Sequence, residues 1–182
     1  MEFLDILTDG KKYKDQVYAL YEEAFPAEEK KPLKMMEELA GQGKMELLGI
    51  TEDGEFVGLA MNMLSGKAAL LDYFAVAPDK RSGGYGSRAV RMLQERFAGK
   101  KYIFEIEKQD PKADNARDRK RRKEFYLRNG LKETGIFANV YHTDFELLTP
   151  DGSLDFQEYV DLLKDILGEE GLDMIRPVLL SE

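Results

Sequence analysis

A glycine-rich turn stands directly before a helix-like segment near the middle of this chain. Its residues, Arg81-Ser82-Gly83-Gly84-Tyr85-Gly86-Ser87, follow an apolar segment that ends at Val76. The start of a helix presents unpaired backbone N–H groups and the positive end of the helix dipole, and both suit a phosphate. Glycines allow close approach to the backbone and positive φ angles. The turn therefore predicts a pyrophosphate cradle for a nucleotide-like cofactor, with all seven residues as candidate contacts.

Two motifs connect this turn to a known family. The pattern R-x-x-G-x-G after a strand ending in Ala75-Val76-x-Pro78 resembles the acetyl-CoA motif of the GNAT-type N-acetyltransferases. The segment Phe125–Leu131 (FYLRNGL) resembles the F-Y-x-x-x-G-F element of that family, and one strand-like segment, Lys101–Glu107, lies between the two motifs. The resemblance covers about Glu2 to Leu148. It implies an α/β fold with a mixed, mostly antiparallel central sheet that is splayed in the middle and has helices on both faces.

The resemblance also implies a co-substrate and a reaction, the transfer of an acetyl group from acetyl-CoA to a primary amine. The backbone of Phe74, Ala75 and Val76 would pair with the pantetheine arm. Tyr126 stands where the family places a tyrosine that protonates the departing CoA thiolate. An unperturbed phenol has a pKa of about 10 and a thiol about 8.5, so the phenol is protonated at neutral pH. For all four residues, an ordinary place in the core is the alternative.

A general base is harder to identify from the sequence. Glu105 and Glu107 are two residues apart on one predicted strand and therefore point to the same face. Glu105 is the candidate base for the amine proton, while the alternative makes both residues exposed acids at a sheet end. The only histidine, His142, is predicted to be exposed on a closing strand. One histidine and no cysteine exclude a multi-histidine or thiolate metal site, and we expect no metal.

Other interpretations of the glycine turn remain open. The residues also fit a dinucleotide fingerprint, Gly84-x-Gly86-x-x-Ala89, with acidic residues about twenty positions later. Such a fingerprint follows its strand by a tight turn and usually opens the fold, whereas here the segment 78–81 intervenes and several strand-like segments come first. A turn that only caps the helix is a further interpretation. A non-catalytic acyl-CoA sensor of the same fold is the alternative to an enzyme.

Composition limits the function classes. The 182 residues suit one globular domain, and no apolar run is long enough to cross a bilayer. The net charge of −8 disfavours nucleic-acid binding and mildly favours a cationic substrate. The first residues lack the pattern of a signal peptide, and the absence of cysteine fits a reducing cytoplasm. We therefore expect a cytoplasmic protein that acts on a small-molecule or peptide amine, without nucleic-acid or membrane partners, as a possible homodimer.

Hydrophobic periodicity outlines the elements. Strands are predicted over Glu2–Leu7, Met45–Ile50, Phe56–Leu64, Lys67–Ala77, Lys101–Glu107, Leu131–Phe137 and Val140–Leu148. Helices are predicted over Tyr13–Phe25, from Pro32 to a point before Gly41, after the glycine turn as far as Gly99, and over Leu154–Leu167. We expect residues 1–149 to form the acetyltransferase domain and residues 150–182 a helical extension. An apolar stripe on that extension should dock on the same chain or on a partner subunit.

The helix that leads to Tyr126 departs from the family pattern. Many members have an asparagine two turns before the tyrosine, but Arg119 occupies that place and Asn115 lies a turn earlier. Asn115 is a candidate for capping the helix or for reaching pantetheine. A dense basic run covers 117–123 and is interpreted first as a solvated helix face, then as an attractor for CoA phosphates, and last as an RNA contact.

Overall fold

The structure, a computed structural model, describes residues 1–181 apart from the side chain of Glu28; Glu182, the end of the predicted extension, lies outside the described residues. The α-helices are α1 Lys14–Ala24, α2 Leu33–Gly41, α3 Tyr85–Arg96, α4 Ala116–Arg128 and α5 Phe156–Ile175. The strands are β1 Glu2–Asp5, β2 Met45–Glu52, β3 Glu55–Leu64, β4 Ala68–Val76, β5 Lys101–Glu107, β6 Lys132–Val140, β7 Thr143–Thr149 and β8 Val178–Leu179.

The strands form one eight-stranded sheet in the order β1-β2-β3-β4-β5-β7-β6-β8. The neighbours β1/β2, β2/β3, β5/β7, β6/β7 and β6/β8 all run antiparallel. The fold is therefore the mixed α/β class with a mostly antiparallel sheet, as the sequence predicted. The splay in the middle of the sheet and the boundary between residues 149 and 150 stay predictions.

The chain forms two compact units, and the first contains residues 1–64 and 71–92. In this unit β2 and β3 are joined by a two-residue hairpin at Asp53-Gly54, whose φ angles of 51° and 80° suit a type I′ turn. The register pairs Met45 with Met63 and Leu47 with Met61, and all four side chains are buried. Helix α1 contributes Val17 to this apolar core, where its side chain lies against Gly49 of β2.

The second unit contains residues 65–70 and 93–182. Strand β5 has helices on both of its faces, because consecutive strand residues point to opposite sides. The Phe104 ring meets the Tyr126 ring of α4, whereas the neighbouring Glu105 meets the Tyr159 hydroxyl of α5. Helix α5 begins with a capping box between Asp155 and Glu158. Its predicted stripe of Tyr159, Leu162, Leu163 and Ile166 is buried.

Element boundaries agree closely with the predicted ones, with three corrections. Helix α2 includes Gly41 and does not end before it. Tyr141 and His142, predicted on a closing strand, form the turn of the β6–β7 hairpin with φ angles of 47° and 67°. A type I′ hairpin turn requires positive φ at both central positions, which the alternating sequence does not reveal when neither residue is glycine. Helix α5 also continues beyond the predicted Leu167, across a non-helical residue at Gly168.

Candidate active site

The glycine turn of the first unit leads into α3 with its backbone turned toward open space. Ser82 and Gly84 both have positive φ, 66° and 76°, while Arg88 N donates to Gly84 O at 3.1 Å. The N–H groups of Tyr85, Gly86 and Ser87 therefore precede the first helical hydrogen bond and have no acceptor within the helix. A Cβ atom at Gly84 would meet nothing within 4 Å. The turn thus has three N–H donors without a helical acceptor and open space beside Gly84, two features that suit an anion.

Side chains fix the shape of this turn. A Cβ atom at Gly83 would lie 2.8 Å from the Tyr85 ring, so glycine is required for the ring to pack there. Arg81 is exposed, and its Nε donates to Val76 O at 3.2 Å. This contact brings together two of the predicted cofactor-binding residues and connects the turn to the end of β4.

The predicted pantetheine strand lies close to β3 in the same unit. Phe74, Ala75 and Val76 are half-buried. A Cβ atom at Gly58 of β3 would lie 2.3 Å from Ala75 O, closer than real contacts allow, and Ala77 N donates to Val57 O at 2.8 Å. Gly58 therefore permits the close approach of the two backbones. Gly58 was not predicted as a site residue, although a glycine within a strand is a signal of close backbone approach.

Tyr126 lies on α4 in the second unit, and its side chain is 8% exposed. Its ring meets the Phe104 ring at a centroid distance of 5.4 Å and an angle of 65°. Burial raises the pKa of the Tyr126 phenol to about 12, and the positive charge of Arg122 acts in the opposite direction. The phenol is therefore protonated at neutral pH, which a general acid must be.

Glu105, the second predicted catalytic residue, faces away from Tyr126. Its carboxylate accepts a hydrogen bond from the hydroxyl of Tyr159, a residue of α5 that is fully buried. Tyr126 lies on the Phe104 face of β5, so the structure does not bring the two predicted catalytic side chains to one face. The contact connects β5 to α5, and the role of Glu105 as general base stays a prediction.

Glu107 is the centre of a charged network at the start of α4. It is paired with Arg119 at 3.1 Å and with Arg122 at 2.9 Å, and Asn115 Nδ2 donates to it at 3.0 Å. Asn115 also accepts from Arg119 Nε at 2.6 Å and makes no side-chain cap on the helix. Part of the basic run is thus neutralised by strand carboxylates and does not form an entirely solvated face.

A second charged cluster joins α4 to the sheet, and it was not predicted from the sequence. Lys123 Nζ lies 2.8 Å and 2.9 Å from the two carboxylate oxygens of Glu146 and also pairs with Glu133. Glu146 is 2% exposed, and burial raises its pKa while Lys123 opposes that rise. The available signal was a single charged residue between Phe145 and the buried Leu147 of β7.

Aromatic residues and one ion pair fix the loop between α1 and α2 on β4, within the first unit. Lys31 N donates to the hydroxyls of Tyr21 and Tyr73 at 2.8 Å and 3.1 Å, and the Tyr73 hydroxyl donates to Glu29 O at 2.6 Å. Lys31 Nζ lies 2.8 Å from the Asp72 carboxylate. Tyr73 immediately precedes Phe74, so the loop and the predicted pantetheine strand share a rigid anchor.

The described residues limit the other kinds of site. Among residues 1–181 apart from Glu28, no group of three or more histidine, aspartate or glutamate side chains is placed to hold a metal ion. None of the described helices is long and apolar enough to cross a membrane.

Comparison with protein families decides the family of this chain. The model of the acetyltransferase (GNAT) family matches residues 14–129, more than half of the sequence. The chain belongs to that family. The match includes the glycine turn and reaches Asn129, so it contains both Gly84 and Tyr126. No curated protein matches this chain in sequence.

Solved structures of the family share the fold. A protein assigned to the GNAT acetyltransferases from Bacteroides thetaiotaomicron is 24% identical, with a TM-score of 0.75 over 92% of this chain and 99% of that one. An aminoglycoside 6'-N-acetyltransferase solved with coenzyme A is 18% identical, with a TM-score of 0.58 over 82% and 96%. The ribosomal-protein-S18-alanine N-acetyltransferase of Escherichia coli is 21% identical, with a TM-score of 0.51 over 72% and 81%. At these identities the likeness shows the fold alone.

Proposed function

We propose that this protein is an N-acetyltransferase that moves the acetyl group of acetyl-CoA directly to a primary amine. The observation that carries the proposal is the open turn at Arg81–Ser87, where three N–H donors precede the first helical bond of α3. A pyrophosphate bound there would accept these hydrogen bonds and interact favourably with the helix dipole. The coenzyme A in the structure of the similar aminoglycoside acetyltransferase supports the choice of cofactor.

In the proposed reaction the amine nitrogen attacks the thioester carbonyl and forms a C–N bond. The C–S bond then breaks, the CoA thiolate takes the proton of the Tyr126 phenol, and the nitrogen gives up a proton to a base. The phenol pKa of about 12 lies above the roughly 8.5 of a thiol. Proton transfer from the phenol is therefore unfavourable by itself, and in the proposed reaction it is coupled to the breaking of the C–S bond.

Glu105 is the residue proposed to accept the amine proton, and its contact with Tyr159 provides a way to separate this role from a structural one. A Glu105→Gln variant should lose turnover and remain folded, whereas Tyr159→Phe removes the same hydrogen bond and leaves the carboxylate. Loss of turnover in the first variant alone would support the base. Equal loss in both variants, with a lower melting temperature, would assign Glu105 to the docking of α5.

Two measurements test the function itself. Thermal unfolding with acetyl-CoA should give a higher melting temperature than unfolding with NAD, because a ligand that binds only the native state stabilises it. Thiol release from acetyl-CoA should then be measured with three candidate acceptor amines: kanamycin, spermidine and a peptide with an N-terminal alanine. Stabilisation by acetyl-CoA without thiol release from any amine would favour the acyl-CoA sensor. Stabilisation by NAD alone would contradict the proposal.

A further inference from the structure

Helix α4 buries only one of its apolar side chains. Of its thirteen residues, all described, only Tyr126 is buried. A helix normally fixes its rotation by packing an apolar stripe. The nine residues before Phe125 are charged apart from Ala116, so no apolar stripe along the helix sets its rotation.

The Glu107 network holds the start of α4, and the charged cluster of Lys123, Glu133 and Glu146 attaches the helix to the sheet close to Tyr126. Glu146 of β7 pairs in register with Ile106 of β5, and Ile106 shares a face with Phe104. Lys123 therefore reaches the same face of the sheet that receives the Tyr126 ring. Lys123 and Tyr126 are three residues apart and lie on one side of the helix. Two neighbouring points of α4 are thus fixed to one surface, one by charge and one by an aromatic contact.

A buried ion pair of this kind is weak evidence for stability. Replacing such a pair by apolar residues often leaves a protein equally stable or more so, because the pair offsets the cost of removing two charges from water. Its directional hydrogen bonds, in contrast, restrict where the helix can lie. Lys123 donates hydrogen bonds of 2.8 Å and 2.9 Å to Glu146, which is 2% exposed. Orienting the helix explains this pair better than stabilising the fold does.

We propose that Lys123 is a positioning residue for Tyr126, and that its ion pair with Glu146 fixes the rotation of α4 and thereby the place of the phenol. The proposal rests on the acid role given to Tyr126 above. A displacement of about 1 Å at a reacting group can reduce the rate by about 10²-fold, so even a small roll of α4 would be visible in turnover.

The first test measures the position of the phenol without any acceptor. Full-length protein is labelled with 3-fluorotyrosine, and the Tyr126 signal is assigned by its loss in Tyr126→Phe. Lys123→Met should shift or broaden this ¹⁹F signal, and Lys123→Arg should restore it. The matched control is Lys120→Met, since Lys120 lies on the same helix with a side chain that is 76% exposed and pairs only loosely with Glu124 at 3.9 Å. An unchanged Tyr126 signal in Lys123→Met would overturn the proposal.

Local unfolding in Lys123→Met would move the signals of other tyrosines as well. In that case Glu146→Gln tests whether the ion pair positions Tyr126, because this variant removes the charge and keeps the shape of the side chain. The Tyr126 signal alone should then change, and a spectrum like that of the parent would count against Lys123 as a positioning residue.

The second test is a double-mutant cycle on kcat, with whichever amine of the panel releases thiol. We expect Lys123→Met to lower kcat about 10-fold and Tyr126→Phe about 100-fold, with no further loss when the two are combined. A purely structural lysine would instead give multiplied losses of about 1000-fold. If Tyr126→Phe leaves kcat unchanged, the acid role fails, and the ¹⁹F result still decides whether Lys123 positions the ring.

Discussion

At the scale of single residues, burial governs what Tyr126 can do. The phenol lies against Phe104 and keeps its proton over the whole physiological range, since burial raises its pKa to about 12. The sign of this shift fixes its effect on stability. A neutral buried phenol contributes fully below the unfolded pKa of about 10, and the contribution is lost as the pH rises through about 12.

Tyr126→Phe should lower kcat about 10²-fold, the lower end of the range for a general acid. The affinity for acetyl-CoA should hardly change, because the ring remains and only the hydroxyl is removed. The parent enzyme should show no decline in kcat between pH 8 and 10 from ionisation of this residue. Full activity of the variant would mean that Tyr126 is an ordinary core residue and not the general acid.

Gly84→Val should abolish most of the thermal stabilisation by acetyl-CoA, because a branched side chain would fill the gap that the turn leaves open. Gly43→Val is the matched control. Gly43 also has a positive φ, 71°, and open space around its Cβ direction, so the backbone strain is similar. A ligand-induced shift that survives in Gly84→Val would place the phosphates elsewhere.

At the scale of elements, close backbone approach and short polar connections hold neighbouring segments in register. Gly58 allows β3 to lie against Ala75 of β4. Asp151, in the connection between β7 and α5, accepts from Lys101 of β5 at 3.0 Å and from Thr149 at 2.9 Å. Each of these residues sets the place of an element that carries part of the candidate site.

Gly58→Ala should destabilise the protein by about 1–3 kcal/mol, the range for overpacking, because its Cβ would lie 2.3 Å from Ala75 O. The affinity for acetyl-CoA should fall as well, since β4 must move. Gly66→Ala serves as the control, with nothing within 4 Å of its Cβ. Urea unfolding and isothermal titration with acetyl-CoA measure the two effects; equal values for both variants would refute the close approach.

Asp151→Asn should show a stability effect that depends on pH. The hydrogen bond from Lys101, with those from Ser153 and Thr149, lowers the Asp151 pKa from 3.8 to about 2. The stabilisation is therefore present above about pH 4 and is lost as the pH falls through about 2. Because the side chain is exposed, we expect a decrease in Tm of only about 1–3 °C at pH 7. Melting curves of the parent protein and the variant at pH 7, 4 and 2.5 measure this decrease. A Tm difference between the two proteins that grows as the pH falls would contradict the lowered pKa of Asp151.

At the scale of the whole molecule, α5 completes the core of the second unit. Tyr159, Leu162, Leu163 and Ile166 are each at most 3% exposed. Burying one such side chain stabilises by about 1.5–3 kcal/mol, so four together approach the 5–15 kcal/mol total of a typical domain.

Removal of everything after Pro150 should therefore cause aggregation or loss of a cooperative melting transition. Glu105 on the exposed strand face would also lose the hydrogen bond that the Tyr159 hydroxyl donates to it. Size-exclusion chromatography and circular dichroism of residues 1–150 test this. A truncated protein that stays monomeric, keeps its melting temperature and binds acetyl-CoA would show that α5 is dispensable.

The sequence by itself determined the features that depend on neighbouring residues. Strand β5 was predicted with its observed bounds, and the glycine turn and FYLRNGL segment indicated the family. Periodicity and local backbone preference carry this information, because each needs only a few consecutive residues.

Only the tertiary structure decided which distant side chains meet. Lys123 and Glu146 are 23 positions apart and Glu105 and Tyr159 are 54 apart, so no local pattern pairs them. Strand register determines these contacts, since one residue of shift would turn every side chain to the other face. For the same reason the sequence did not reveal that the Glu105 carboxylate accepts a hydrogen bond from Tyr159, and its role as general base stays a prediction.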